Sequence, residues 1–190
     1  IKKSKLLKTG IIITTDKVYD ISKNRIFKEE DALGGLDPYS ASKVCIEFLF
    51  NSYQKSFFSK SKKMVATVRA GNVIGGGDYS LDRLIPDIYR STNKNKKILL
   101  RNPNSVRPWQ FVLEPISGML SLSLHLRKNP KQFSEPWNFW PASSKKLTVE
   151  QIVKKIIQQW GNGKYKKNFN KKDKEYLESK ILMLNSKKVK

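Results

Sequence analysis

The sequence predicts an α/β protein built on a doubly wound parallel sheet. Three observations carry that reading: two short β-branched apolar runs, one long amphipathic helix between them, and turn residues at every junction. The first run, Ile11-Ile12-Ile13-Thr14-Thr15, follows Gly10 and stops at the charged pair Asp16-Lys17, the pattern of a buried strand ending at a reactive edge. A polar loop with Ser22, Asn24, Gly34, Gly35 and Asp37 comes next. Asp37-Pro38 supplies an N-cap and a first-turn proline to a helix over 39–57, on which Val44, Ile46, Leu49, Tyr53 and Phe57 recur at helical spacing. Met64-Val65-Ala66-Thr67-Val68 is the second buried strand, so the two strands should lie parallel and adjacent across a βαβ unit.

Beyond Arg69 the sequence reads as a glycine loop over 71–78, a helix over 84–91 opened near Pro86, and a short strand at Ile98-Leu99-Leu100. A helix over 112–126 tolerates Pro115 near its start, Trp137-Asn138-Phe139 is strand-like, and Thr148 opens an amphipathic helix that stops at Gly161. The last twenty residues are lysine-rich. No internal repeat and no long linker divides the 190 residues.

Composition narrows the function classes. A hydrophobic content of 38% with nine Phe, seven Tyr and four Trp is enough for about one buried core. No apolar run approaches the roughly 20 residues of a membrane span, and residues 1–8 lack an export signal, so a cytoplasmic location is expected. The single cysteine, Cys45, sits between Val44 and Ile46 and reads as core packing. One Cys and one His, His125 on an apolar helix, leave no metal site in view. The net charge of +22 raises the question of nucleic acid, yet the lysines are spread through every surface segment and densest over 2–8, 164–174 and 187–190. A solvated surface is the favoured reading and no nucleic-acid partner is expected.

Tyr39 and Lys43 stand four apart on the first turns of the long helix and so share a face. A Tyr hydroxyl beside an ammonium can act as a base, because the positive charge favours the phenolate. Thr15, Asp16 and Lys17 add a hydroxyl, a carboxyl and an amine at the carboxyl end of a parallel strand, where open α/β sheets bind ligands. A surface turn with an Asp16–Lys17 pair and an exposed Tyr–Lys helix face is the bland alternative for both clusters.

Five strings in order carry a resemblance: Thr15-Asp16-Lys17-Val18-Tyr19; Leu33-Gly34-Gly35 with Asp37-Pro38-Tyr39-Ser40-Ala41-Ser42-Lys43; Arg69-Ala70-Gly71-Asn72-Val73-Ile74-Gly75-Gly76-Gly77-Asp78; Arg83-Leu84-Ile85-Pro86-Asp87; and Arg101-Asn102-Pro103 with Arg107-Pro108-Trp109-Gln110. The sequence resembles the extended short-chain dehydrogenase/reductase family and, within it, the nucleotide-sugar 4,6-dehydratases that act on CDP-glucose. Lys17 points to that branch, because dTDP-glucose dehydratases usually carry Glu there. The resemblance implies that 1–80 form the distal half of an NAD-binding, Rossmann-like domain and that 81–190 form mainly the nucleotide-sugar-binding region. It implies catalytic roles for Thr15, Asp16, Lys17, Tyr39 and Lys43, contact with NAD by Tyr39, Lys43, Ala70 and Val73, and contact with CDP-glucose by Thr15, Asn72, Arg83, Leu84, Pro86, Arg101 and Arg107. Capping a helix start is the plainer role open to Arg83.

The resemblance further implies a homodimer, with the Tyr39 helix at the interface and Phe48, Phe50 and Phe57 facing outward. Three features depart from the family pattern. No Gly-x-x-Gly-x-x-Gly string occurs, so the chain is expected to be a piece lacking the NAD diphosphate cradle and its own carboxyl end. Phe111 stands where the family commonly has His, and Trp140 stands in place of Gly, where its indole is expected to crowd the nucleotide pocket. Another nucleotide-sugar dehydratase or epimerase, and a lysine-rich binding remnant without turnover, are the alternative readings.

Overall fold

The computed structural model describes residues 1–23, 25–107, 109–141, 147–167 and 182–188. Pro108, Asn24 and the lysines of 168–174 and 189–190, all used in the sequence reading, lie outside the described residues.

The central sheet is three parallel strands in the order β1 (Thr9–Ile13), β3 (Met64–Ala70), β7 (Pro136–Phe139). The expected βαβ unit is therefore present, with Ile11 opposite Ala66 and Ile13 opposite Val68. β1 ends two residues short of the expected strand, because Thr15 turns the chain into a 3-10 turn over Asp16–Val18, its side chain accepting from the Lys17 backbone N–H.

Alternation along β3 assigns the two faces. Ala66 and Val68 face α3 (Leu113–Lys128) and pack with Leu122, Leu126, Trp137 and Phe139. Val65 faces the other way, toward Phe50 and Phe58 of the segment begun by α1 (Pro38–Tyr53). Helices thus cover both faces, which is the doubly wound arrangement. Asp37 caps α1 as expected, accepting from the Ser40 N–H at 3.0 Å, with Pro38 in the first turn.

Smaller parallel pairs complete the chain: β2 (Ile26–Phe27) with β9 (Met183–Leu184), β4 (Asn72–Ile74) with β6 (Trp109–Phe111), and β5 (Lys97–Leu100) with β8 (Lys164–Lys167). The expected glycine loop over 71–78 therefore opens with a strand. β5 is covered by α2 (Leu84–Asn93) and α5 (Val149–Trp160) around Ile88, Ile98, Leu100 and Val153. α5 begins on a capping box between Thr148 and Gln151 and ends at Gly161, whose φ of 84° suits only glycine.

Helix α1 corrects two expectations. Its buried face is Ser40, Val44, Glu47 and Phe50, so Cys45, about 100° around from Val44, is exposed, and Phe50 points inward rather than out. The helix then widens into a π-turn over Gln54–Phe58; the added residue rotates Phe58 into the core and leaves Phe57 outside with Phe48 and Leu49.

At the centre of the buried face of α1 lies a carboxylate, Glu47, only 3% exposed. Its Oε1 accepts from Thr14 Oγ1 at 2.6 Å and Arg69 Nε at 3.1 Å; its Oε2 accepts from Thr67 Oγ1 and Arg69 Nη2, each at 3.0 Å. Arg69 also donates to the Tyr19 hydroxyl at 2.8 Å, and that hydroxyl donates to Asn138 Oδ1 at 2.6 Å. Burial pushes the Tyr19 phenol up to about 12, so it remains a donor at neutral pH. One network thus joins α1, β3, β7 and the segment from Thr14 to Tyr19 that follows β1. Removing one partner of a buried ion pair strands the other, at about 3–5 kcal/mol. Arg69→Met should lose about that much in urea denaturation at pH 7, while Lys96→Gln, on the exposed surface, should stay within about 0.5 kcal/mol.

Candidate functional site

The carboxyl end of β1 brings three of the expected catalytic groups into one turn. Thr15 and Asp16 are buried and Lys17 is half-buried. Thr15 Oγ1 donates to Asp16 Oδ1 at 3.1 Å, whereas Asp16 Oδ2 is closed off from solvent and finds no hydrogen-bond partner among the described residues. A 4% exposed carboxyl in that position resists ionisation. Burial pushes Asp16 up to about 6, and the Thr15 hydroxyl, the Lys17 ammonium and the Arg107 guanidinium pull it only partway back.

Arg107 is therefore placed beside the same turn. It is buried just ahead of β6, on a segment stitched to the start of α5: Val149 N–H donates to the Ser105 carbonyl and Glu150 N–H to that of Pro103, both at 3.0 Å. β6 pairs with β4 so that Asn72 stands opposite Trp109 and Val73 opposite Gln110, which puts Asn72 two positions from Arg107 across the ladder.

The start of α1 lies against the turn that carries Asp16. Tyr39 is 48% exposed, and the Lys43 ammonium sits 5.8 Å from its ring centroid. Lys17 links the two elements electrostatically. Against the pull of burial, the Ser40 hydroxyl and N–H, with the Lys17 ammonium behind them, hold the Asp37 carboxyl at the α1 cap below its ordinary value. The Leu33-Gly34-Gly35 loop closes the gap between turn and helix. Gly34 N–H donates to the Val18 carbonyl at 2.8 Å, a Cβ on Gly34 would lie 2.8 Å from Asp20 Cα, and one on Gly35 would lie 2.9 Å from Ala41 Cα. Gly35 also adopts a φ of +100°. Only glycine admits an approach that close.

The remaining expected residues form a second group. Leu84 packs against Ile88 and Ile98, and Pro86 is buried in the first turn of α2. Arg83 is exposed at the N-cap position of α2 and makes no side-chain capping bond there. Arg101 pairs with Asp82, next to Arg83. Ala70 ends β3, half-buried among the α3-side residues. Phe111 is exposed on β6, and Trp140 packs on Val18, Tyr19 and Phe27. His125 is exposed and stacks on Phe133 at 5.0 Å. Among the described residues no three His, Cys, Asp or Glu side chains gather to hold a metal, and no helix is long and apolar enough to cross a membrane.

The sequence reading missed Glu47, Arg69, Tyr19 and Asn138 as a unit. A signal existed: Glu47 interrupts the apolar stripe between Val44 and Phe50, four residues after Lys43, and Arg69 follows the apolar run to Val68 near the end of β3.

A parallel sheet with helices on both faces, and polar groups at the carboxyl end of β1 against a helix that carries Tyr and Lys four apart, define a doubly wound α/β protein, a class that binds ligands at that edge of its sheet. The chain belongs to the NAD dependent epimerase/dehydratase family, whose model matches residues 4–138. It is 46% identical over 165 residues to the CDP-glucose 4,6-dehydratase of Salmonella typhimurium, covering 82% of this chain and 45% of that protein. It is 35% identical over 124 residues to a dTDP-D-glucose 4,6-dehydratase of Dictyostelium discoideum, covering 59% and 27%. The fold is shared with a UDP-glucuronic acid 4-epimerase of Bacillus cereus, solved with UDP-glucuronic acid and NAD, at a TM-score of 0.81 and 19% identity over 99% of this chain and 55% of that one. It is also shared with the dTDP-glucose 4,6-dehydratase DesIV of Streptomyces venezuelae at 0.77 and 18%, covering 95% and 52%. The chain spans less than half the length of the curated relatives it matches.

The Asp16 environment has a consequence for stability. An unfolded Asp ionises near 3.8 and the buried one near 6, so above pH 6 the folded state carries the full cost of the buried charge and below about pH 4 it carries none. Asp16→Asn should therefore raise the melting temperature above pH 7, by an amount worth about 2–3 kcal/mol at most, and the gain should vanish as the pH falls to about 4.

Proposed function

We propose that the protein containing this chain dehydrates CDP-glucose to CDP-4-keto-6-deoxyglucose with NAD as cofactor. The observation that carries the reading is Asp16, a buried carboxyl whose pKa near 6 allows it to hold a proton, set between a Thr hydroxyl and a Lys ammonium at the crevice edge. Carboxyls raised in this way serve as general acids. Overall similarity to a CDP-glucose 4,6-dehydratase at 46% identity, and Lys at position 17, support the nucleotide.

In this reading Tyr39 takes the proton from the sugar 4-hydroxyl, which Thr15 orients by a hydrogen bond. When bound, NAD supplies the acceptor for the hydride from carbon 4 and afterwards the hydride for carbon 6. The 4-ketone acidifies the carbon-5 hydrogen; Lys17 assists its removal while Asp16 protonates the departing 6-hydroxyl, so that one water leaves. Asp16 Oδ2 is the oxygen with hydrogen-bonding capacity to spare. Lys43 binds the ribose next to the nicotinamide, and Ala70 and Val73 flank it. The exposed phenol of Tyr39 and the adjacent ammonium fit that end of NAD, whereas the diphosphate end has no glycine fingerprint in this sequence and is assigned no residue here. Arg107 and Asn72 meet the diphosphate beside Asp16, and Arg83, Arg101, Leu84 and Pro86 hold the nucleotide, the guanidiniums acting through bidentate donors. We assign residues 1–80 to the cofactor side of the crevice, 81–190 mainly to the sugar nucleotide, and a homodimer through exposed Phe48 of α1 and Phe57 of the π-turn that follows it.

The full-length protein should convert CDP-glucose to a product with the alkaline absorbance of a 4-keto-6-deoxy sugar. Turnover of a dTDP- or UDP-sugar in its place would overturn the assignment of the nucleotide. Tyr39→Phe and Asp16→Asn should each lower product formation by about 10²–10⁴-fold.

A further inference from the structure

The hydrogen bonds around Glu47 have a geometry that serves more than stability. Glu47 lies on the face of α1 that also carries Lys43 one turn earlier and Tyr39 two turns earlier, while its partner Thr14 immediately precedes Thr15 and Asp16. The 2.6 Å bond from Thr14 Oγ1 to Glu47 Oε1 is therefore a direct side-chain tie between the helix that carries the proposed base and the strand end that carries the proposed acid. The same hydroxyl lies 3.3 Å from the Val68 carbonyl, and Thr14 N–H donates to that carbonyl at 2.8 Å, so the strand end is fixed to β3 as well. Thr67 makes a comparable bond to the other oxygen of Glu47 at 3.0 Å, but it sits in the middle of β3 opposite Ile12 and adjoins no proposed catalytic residue in the chain.

We propose that Glu47, acting through Thr14, is a positioning residue that sets the distance between Tyr39–Lys43 and Thr15–Asp16. This rests on the dehydratase reading. A misplacement of about 1 Å between acting groups can cost on the order of 100-fold in rate, whereas deleting either of two buried hydroxyls that donate to the same carboxylate costs a comparable amount of stability.

Thr14→Val and Thr67→Val separate the two roles, since each deletes one hydroxyl that donates to the same carboxylate. For the full-length enzyme, Thr14→Val should lower kcat by about 10–100-fold with KM within about twofold, while Thr67→Val should leave kcat within about twofold at a comparable loss in melting temperature. Equal effects of the two variants on kcat, whether both null or both large, would overturn the proposal. A readout independent of turnover is 3-fluorotyrosine placed at position 39. Its fluorine resonance should move in Thr14→Val and stay put in Thr67→Val; no movement in Thr14→Val, or the same movement in both, would also overturn it. A protein that turned over no nucleotide sugar would defeat the dehydratase reading, while the fluorine shift would still judge the tie between helix and strand.

Discussion

Four hydrogen bonds converge on the Glu47 carboxylate, and the rest of the structure is arranged around that point. A buried charge is tolerated only when paired and fully hydrogen-bonded. Arg69 supplies the charge and two donors, Thr14 and Thr67 supply the others, and the second side of Arg69 is occupied by Tyr19 and the Glu29 carbonyl. Because those groups come from α1, β3 and the segments that follow β1 and β2, the network can be satisfied in only one registration of helix against sheet. Apolar packing of Phe50 and Phe58 on Val65 holds the same layers together without specifying that registration.

The contrast between the two buried carboxyls explains how one small region can be both rigid and reactive. Glu47 is saturated with donors and countercharge. Asp16, equally inaccessible, has one donor on Oδ1, none on Oδ2, and cations at longer range in Lys17 and Arg107. The first arrangement matches the carboxylate with a guanidinium and four hydrogen bonds; the second leaves burial dominant and raises the carboxyl to about 6. Environment, rather than residue type, divides the structural role from the chemical one.

Much of this was legible in the sequence. Periodicity found both strands of the βαβ unit and the helices that cover them, and cap chemistry at Asp37, Thr148 and Gly161 set their ends. The strings around Thr15 and Tyr39 pointed to one crevice, and the fold places the α1 cap against the turn after β1. Other features were illegible for physical reasons. Cys45 sits among apolar neighbours in the chain, but helical rotation, not adjacency, decides burial. The π-turn after Tyr53 shifts the apolar stripe by one residue, which sequence spacing cannot anticipate. The partners of Glu47 lie 20 to 33 residues away in the chain, so no local pairing marks its role. The short pairs β4–β6 and β2–β9 depend on contacts between distant segments, and nothing local marks them.

Burial with only partial hydrogen bonding raises the Asp16 carboxyl to about 6, which brings its proton exchange close to neutral pH. Titration of the Asp16 side-chain carboxyl carbon by ¹³C NMR tests it most directly. A midpoint near pH 6 is expected, and a midpoint close to the ordinary value of about 4 would contradict the account.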